Sequence, residues 1–275
     1  MKTVGLIVNN DKPGAADAVV RVHAIAEKLG LGIVTGDFSG REVEAAVVLG
    51  GDGTMLNAAH RLHGTGLPLL GLNIGSLGYL TGVEESCFEN ALRQLRDNEC
   101  VNSIRTALQV ELIRVDGTAV RLTDALNEVV LSRGTSCHAI ELNLDVDGLD
   151  VSRFLCDGMI VSTPTGSTAY SLAAGGPIVM PDASVMVLSP ICPHTLTSRP
   201  LVLNDSSVVS LRSVDRSEPL LVCIDGGECL RLGDEESVRI SKSSERVTVL
   251  SLNDANPYDV MRRKLGWGGR ARKER

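Results

Sequence analysis

An α/β domain followed by a β-rich domain is the fold class this chain predicts, and three observations carry it. The first hundred residues alternate strand-like and helix-like stretches. From about Ile104 the pattern becomes residue-by-residue alternation. Asp-Gly pairs of the hairpin type punctuate that second region. In order, residues 3–8 read as a first strand. Ala15, Ala18, Val19, Val22, Ile25, Ala26 and Leu29 recur at helical spacing. Residues 45–49 form an apolar strand that runs into Gly50-Gly51-Asp52-Gly53-Thr54, and good helix formers follow over 55–63. Residues 67–72 are a further short strand. Ser86 is the expected cap of a helix through Phe88, Ala91, Leu92 and Leu95. Strands alternating with helices imply a parallel sheet covered on both faces, with ligands at the carboxyl ends of its strands.

In the second region Leu108, Val110 and Leu112 alternate, then Val120 and Leu122, then Ile140, Leu142, Leu144 and Val146. Asp116-Gly117 and Asp147-Gly148 mark turns between such runs. Residues 185–188, 208–212, 220–224, 238–240 and 247–250 are further expected strands. The tail over 257–265 reads as a helix capped by Asn256. Its basic residues, Arg262, Arg263, Lys264, Arg270, Arg272, Lys273 and Arg275, read as a solvated end.

Bulk properties exclude several classes. At 275 residues the chain buries about three quarters of its unfolded surface and needs no staple. A net charge of −7 argues against nucleic-acid binding. No run reaches the roughly 18 apolar residues of a membrane span, and residues 1–8 lack the layout of a signal peptide. Seven cysteines without a C-x-x-C pair read as reduced thiols of a cytoplasmic protein. His60 and His63 have an i, i+3 metal-pair spacing on the expected helix, but no local carboxylate or cysteine completes a site.

The chemistry concentrates in two places. Asp52 sits where a buried strand turns into a helix, among glycines expected to bring backbone close to a ligand and to take unusual dihedrals. Amides at such a turn favour phosphate oxygens. A carboxylate there fits phosphoryl transfer, handling a hydroxyl proton or a metal. On these grounds Gly50, Gly51, Gly53 and Thr54 are the expected phosphate-binding residues. The second place is 157–177, Asp157 to Pro177, where a strand-like run enters a segment dense in Ser, Thr and Gly. Of the five Asp-Gly pairs, at 52, 116, 147, 157 and 225, only the first and fourth have such surroundings, and the others read as turns. P-loop, G-x-G-x-x-G and protein-kinase signatures do not occur in the chain.

The glycine turn, Asn73-Ile74-Gly75-Ser76-Leu77-Gly78-Tyr79-Leu80, Asn127-Glu128, the 157–177 run and Ser198-Arg199-Pro200 stand in the order found in NAD kinases, and nearly the whole chain resembles that family. The glycine turn alone is shared with diacylglycerol and sphingosine kinases; the 157–177 run is the specific part. The resemblance implies a Rossmann-like α/β domain over 1–104 bearing the glycine turn. It implies a β-rich, NAD-binding domain over 105–252 and a tail over 253–275 packed back on the first domain. The active site would lie in the cleft between the domains.

The reaction so implied moves the γ-phosphoryl of ATP to the 2′-hydroxyl of the adenosine ribose of NAD, giving NADP and ADP, with a divalent cation, Mg²⁺. By the same resemblance Asp52 is the proton acceptor and, with Gly53, touches the dinucleotide. Asn127, Glu128, His138, Asp157, Thr168, Ala169, Tyr170, Ser171, Leu172 and Ala173 are the further NAD contacts. A cytoplasmic homodimer or homotetramer is implied as well. Leu155 and Gly227 depart from residues that some members carry near the second aspartate and after the late Asp-Gly, so no side-chain contact is carried over there. A lipid kinase would share the glycine turn without the 157–177 run, and an idle nucleotide sensor would not need Asp52.

Overall fold

The computed structural model describes residues 1–36, 38, 42–134, 137–214 and 220–267. The basic tail residues from Arg270 onward lie outside the described residues. The chain divides into two compact units, Met1–Ile104 with Val247–Arg275, and Arg105–Arg246.

The first unit begins with β1 (Thr3–Val8), α1 (Ala15–Leu29), β2 (Gly32–Thr35), β3 (Ala46–Gly50), α2 (Asp52–Arg61), β4 (Leu69–Asn73) and α3 (Phe88–Arg96). The strands lie in the order β2-β1-β3-β4, and every pair is parallel. β3 and β4 are buried along their whole length, as parallel strands covered on both faces must be. Val4, Leu6, Val47, Leu49, Leu70 and Leu72 pack with Ala18, Val22 and Ala26 of α1 and Phe88, Leu92 and Leu95 of α3. The register places Gly50, the last residue of β3, beside Asn73, the last of β4, so the glycine turn leaves the carboxyl edge of the sheet.

Local expectations fail here at two points, and one strand was not expected. Ser86 caps nothing: it lies inside a 3₁₀ turn, Glu85–Cys87, and α3 starts after it. α2 ends at Arg61, so His60 and His63 do not share a helix. β2 has only four residues, too few to show a period.

The second unit is antiparallel. It contains most of β5 (Val101–Ile113), then β6 (Ala119–Arg121), β7 (Glu128–Arg133), β8 (Ile140–Val146), β9 (Leu149–Cys156) and β10 (Gly158–Ser162). A 3₁₀ turn, Thr165–Thr168, and α4 (Tyr170–Ala173) follow. Then come β11 (Val185–Ile191), β12 (Leu201–Asn204), β13 (Val209–Ser213), β14 (Leu220–Ile224), β15 (Cys229–Leu232) and the start of β16 (Ser237–Ser251). One sheet has the order β12-β11-β10-β7-β14-β15; in the other, β16 pairs β13, β13 pairs β8 and β8 pairs β9. Leu131, Met159, Leu188 and Val222 of the first sheet share one core with Leu142, Leu144, Leu211 and Ile240 of the second. Asp147 and Gly148 take φ of 54° and 79° between β8 and β9, the tight hairpin their sequence predicts. The strands expected over 238–240 and 247–250 are a single strand, β16, because extended backbone continues through the polar residues between them.

β16 then enters the first unit, where Val249 and Leu250 pair with β4 in parallel. The last helix, α5 (Pro257–Leu265), is capped by Asn256, whose side chain accepts from the Tyr258 N–H at 3.0 Å. Arg263 of α5 pairs with Glu84, and the Lys264 ammonium lies 5.8 Å from the centre of the Tyr79 ring.

The expectation of seven reduced thiols is overturned: Cys223 and Cys229 are joined in a disulfide. They are directly opposed residues of β14 and β15, brought together by the turn at Asp225-Gly226. A C-x₅-C spacing carries no such signal until a hairpin folds between the two cysteines.

Candidate active site

Asp52 opens α2, directly after the extended Gly51, and its carboxylate is held by a loop of its own unit. Oδ2 accepts from the Tyr79 N–H at 2.8 Å, and Oδ1 from the N–H groups of Leu80 at 2.9 Å and Thr81 at 3.1 Å. The Thr81 hydroxyl adds a contact to Oδ1 at 3.2 Å. Three successive amides on one carboxylate fix its direction. A side chain at Gly78 would place its Cβ 2.0 Å from Oδ1, so the loop needs glycine there. Burial, and then the Asp52 charge, push the Tyr79 phenol above its ordinary pKa.

The glycine turn works differently from the sequence expectation. Gly50, Gly51 and Gly53 are not among the positive-φ residues, and Gly51 is plainly extended at φ −133°. Their value is space. A Cβ on Gly50 would stand 2.3 Å from the Thr54 hydroxyl, and one on Gly51 would stand 2.8 Å from Lys12 Nζ. A Cβ on Gly53 would meet nothing within 4 Å beyond its own helix, so the space on that face of the turn is open. Thr54 Oγ1 accepts from the Gly51 N–H at 3.3 Å and from Asn9 Nδ2 at 3.4 Å, so it ties the turn to the end of β1. Lys12 donates to the Ile74 carbonyl at 2.8 Å, setting a cation beside the helix start. Neither Asn9 nor Lys12 belongs to a sequence motif, and only folding brings them to the turn.

In the second unit, residues 126–128 are held from two sides. Asp225 accepts from the N–H groups of Leu126, Asn127 and Glu128 at 2.7, 2.8 and 2.9 Å. Thr163 donates its hydroxyl to the Leu126 carbonyl at 2.6 Å and its N–H to the Asn127 carbonyl at 2.8 Å. Gly166 packs so closely that a Cβ would stand 2.1 Å from the Asn127 oxygen. Glu128 is 7% exposed, and its Oε2 has no hydrogen-bond partner among the described residues. Burial first, and the Asp225 charge second, raise its carboxyl to about 7, against a bond from the Tyr170 backbone that lowers it.

Asp157 precedes β10 and forms a two-point pair with Arg133, Nε to Oδ1 at 3.1 Å and Nη2 to Oδ2 at 3.4 Å. Both line a depression with Ser132, Gly134, Cys137, Tyr170 and Ile191. Tyr170 is 46% exposed there. Of the 168–173 segment, Thr168, Ala169, Leu172 and Ala173 reach the surface, while Ser171 is buried with its hydroxyl 2.9 Å from that of Ser189. His138 is exposed in the bend before β8, not in a strand. The structure thus brings Asn127, Glu128, Asp157 and Tyr170 into linked positions of one unit. It adds Arg133, Thr163 and Asp225, which sequence reasoning passed over; Asp225 was among the five Asp-Gly pairs but looked like an ordinary turn.

Residues 34–100 match the family profile "ATP-NAD kinase N-terminal domain" and residues 126–252 match "ATP-NAD kinase C-terminal domain". The chain is 35% identical over 286 residues to an NAD kinase of Methylococcus capsulatus, an alignment covering 98% of each chain. It is 40% identical over 234 residues to an NAD kinase of Acidobacterium capsulatum, covering 85% of this chain and 82% of that one. Among solved structures, yeast NADH kinase complexed with NADH superimposes with a TM-score of 0.86 at 23% identity, covering 100% of this chain and 90% of that one. An NAD kinase from Archaeoglobus fulgidus in complex with ATP gives a TM-score of 0.77 at 24% identity, covering 96% and 97%.

Proposed function

The chain belongs to the NAD kinase family, enzymes that phosphorylate NAD to NADP with ATP, and we propose that Asp52 is the proton acceptor of that reaction. The observation that supports this role is the bonding of its carboxylate. Four donors fix Asp52 in direction, yet among the described residues Oδ2 takes only one of them. That oxygen keeps capacity for a ribose 2′-hydroxyl.

An ordinary Asp, with a pKa of about 3.9, does not deprotonate an alcohol outright. The loose transition state of phosphoryl transfer does not require it, because the nucleophile bonds late. Asp52 orients the hydroxyl and takes its proton as the bond to phosphorus forms. The dinucleotide contacts are Asp52, Gly53, Asn127, Glu128, His138, Asp157, Thr168, Ala169, Tyr170, Ser171, Leu172 and Ala173. Ser171 acts through its backbone, since its hydroxyl is engaged with Ser189. Gly50, Gly51, Gly53 and Thr54 serve the ATP phosphates, Gly53 through its backbone amide at the start of α2.

Among the described residues no group of three or more His, Cys, Asp or Glu side chains is placed to hold a metal. This fits Mg²⁺ carried chiefly by the ATP phosphate oxygens, which need at most one or two carboxylates from a protein. When bound, the cation supplies neutralising charge to those phosphates. The same reading assigns 1–104 to the phosphate side, 105–252 to NAD binding and 253–275 to a tail docked on the first domain. It makes the enzyme a cytoplasmic homodimer or homotetramer; among the described residues no helix is long and apolar enough to cross a membrane.

The test incubates the protein with ATP, Mg²⁺ and NAD and detects NADP with a strictly NADP-dependent dehydrogenase. NADP formation that needs all three supports the reading. Phosphorylation of diacylglycerol in place of NAD, or no product with any phosphate donor, contradicts it.

A further inference from the structure

Asp225 has no task in the reaction as described, yet its surroundings are built. It takes φ 50°, Gly226 takes φ 69°, and the Gly227 N–H closes the turn on the Ile224 carbonyl at 2.9 Å. The turn aims the carboxylate at three consecutive amides, those of Leu126, Asn127 and Glu128, while the Asp225 N–H donates to the Glu128 carbonyl at 3.0 Å. Consecutive N–H groups converging on one point form an anion site, and here a side chain of the same chain fills it. Directly behind the turn, Cys223 and Cys229 bond the two strands together. Cys229 is exposed. In a reducing compartment a persistent disulfide is uncommon, and those that form are chiefly catalytic or redox-sensing.

We propose that Asp225 is the positioning residue that sets Asn127 and Glu128 for the dinucleotide, and that the Cys223–Cys229 bond fastens its hairpin, so that thiol reduction weakens NAD binding. This rests on the reading that Asn127 and Glu128 touch NAD. The reductant is a dithiol. Its first thiolate attacks the exposed Cys229 sulfur, the Cys223–Cys229 bond breaks, and Cys223 leaves as a thiolate that takes up a proton. The second thiol of the reagent then displaces Cys229, which is also protonated, and the reagent departs as a disulfide, having given its two electrons to Cys223 and Cys229. The other five cysteines are free, so a dithiol has this single target in the chain.

The experiment measures KM for NAD, KM for ATP and kcat, with and without dithiothreitol, counting free thiols in each sample. It compares the unmodified chain with Asp225→Asn, Asp225→Ala, Asn127→Ala and the double variant Cys223→Ser/Cys229→Ser. Asp225→Ala is expected to raise KM for NAD about tenfold or more, the size of one lost charge-assisted hydrogen bond. Asp225→Asn, which keeps one acceptor oxygen, should fall in between, and both should leave KM for ATP near its original value. Dithiothreitol should raise KM for NAD of the unmodified chain several-fold and leave the double variant unmoved. The dithiol arm needs no substitution, so it stands even where an Asp225 variant does not fold.

If Asn127→Ala raises KM for NAD while Asp225→Asn and Asp225→Ala do not, the positioning role is overturned and the substrate reading survives. If Asn127→Ala itself leaves KM for NAD unchanged, the substrate reading fails and the proposal fails with it. An unchanged KM in a sample whose thiol count shows the bond reduced overturns the redox half.

Discussion

Asp52 and Asp225 make the same arrangement of bonds in two different units. Each carboxylate gathers three successive backbone amides, Tyr79, Leu80 and Thr81 for one, Leu126, Asn127 and Glu128 for the other. They differ in what surrounds the acid. Asp52 stands at the start of a helix, and Gly78 leaves room for it. Asp225 stands at a hairpin tip whose strands are cross-linked, and its charge bears on the buried Glu128. One geometry therefore serves two ends. On the proposed reading, the loop at Asp52 holds the acid still for chemistry, and the acid at Asp225 holds a loop still for binding.

Changes on either side can break this contrast. Short of altering Asp52 itself, the largest effect belongs to Gly78→Ala, whose methyl would meet Oδ1. We expect kcat to fall about 100-fold, the scale of a 1 Å misplacement, with about 1–3 kcal/mol lost in denaturant unfolding. A normal kcat would mean that the position of Asp52 does not matter. Next is Tyr170→Ala. Loss of a stacking ring should weaken NAD binding by about 1–3 kcal/mol by calorimetry, by analogy with base stacking. An unchanged Kd would leave Tyr170 a structural residue.

Glu128 gives a pH signature. Its folded pKa of about 7 lies above the ordinary 4.5. Between those values the folded chain binds a proton that the unfolded chain has released. This contribution to stability is fully present below about 4.5 and is lost as pH rises through about 7. Glu128→Gln should flatten the decline, which is at most about 1.4 kcal/mol per pH unit, in urea melts from pH 5 to 8. Identical slopes in the two proteins would count against a raised carboxyl. The smallest effect is expected from Thr81→Val, which removes one of four donors to Asp52: about 1 kcal/mol of stability, with kcat little changed.

Much of this was legible in the sequence because its signals are local. The apolar strands β3 and β4, the α1 periodicity, the Asp147-Gly148 hairpin and the Asn256 cap each depend on neighbours a few residues apart. What escaped depends on distant partners. Asp225 meets 126–128 only after β14 pairs with β7, and Cys223 meets Cys229 only across a folded hairpin. Arg133 finds Asp157 because β7 and β10 are paired. The glycines of the first turn were expected to take unusual dihedrals, and Gly50, Gly51 and Gly53 do not. Gly50 and Gly51 instead provide clearance for Thr54 and Lys12. Ser86 misled because a 3₁₀ turn uses the same polar residues as a helix cap.

The central claim is that Asp52 accepts the 2′-hydroxyl proton, and Asp52→Asn tests it most directly. Asparagine keeps one acceptor oxygen for the 79–81 amides but is no base. NADP formation at saturating ATP, Mg²⁺ and NAD should fall by about 10²–10⁴-fold, while the Kd for NAD stays near that of the unmodified chain and the fold loses about 1.5–3 kcal/mol, the size of one charge-assisted hydrogen bond. A variant that makes NADP at close to the original kcat would contradict the account and leave Asp52 as a loop-holding carboxylate like Asp225.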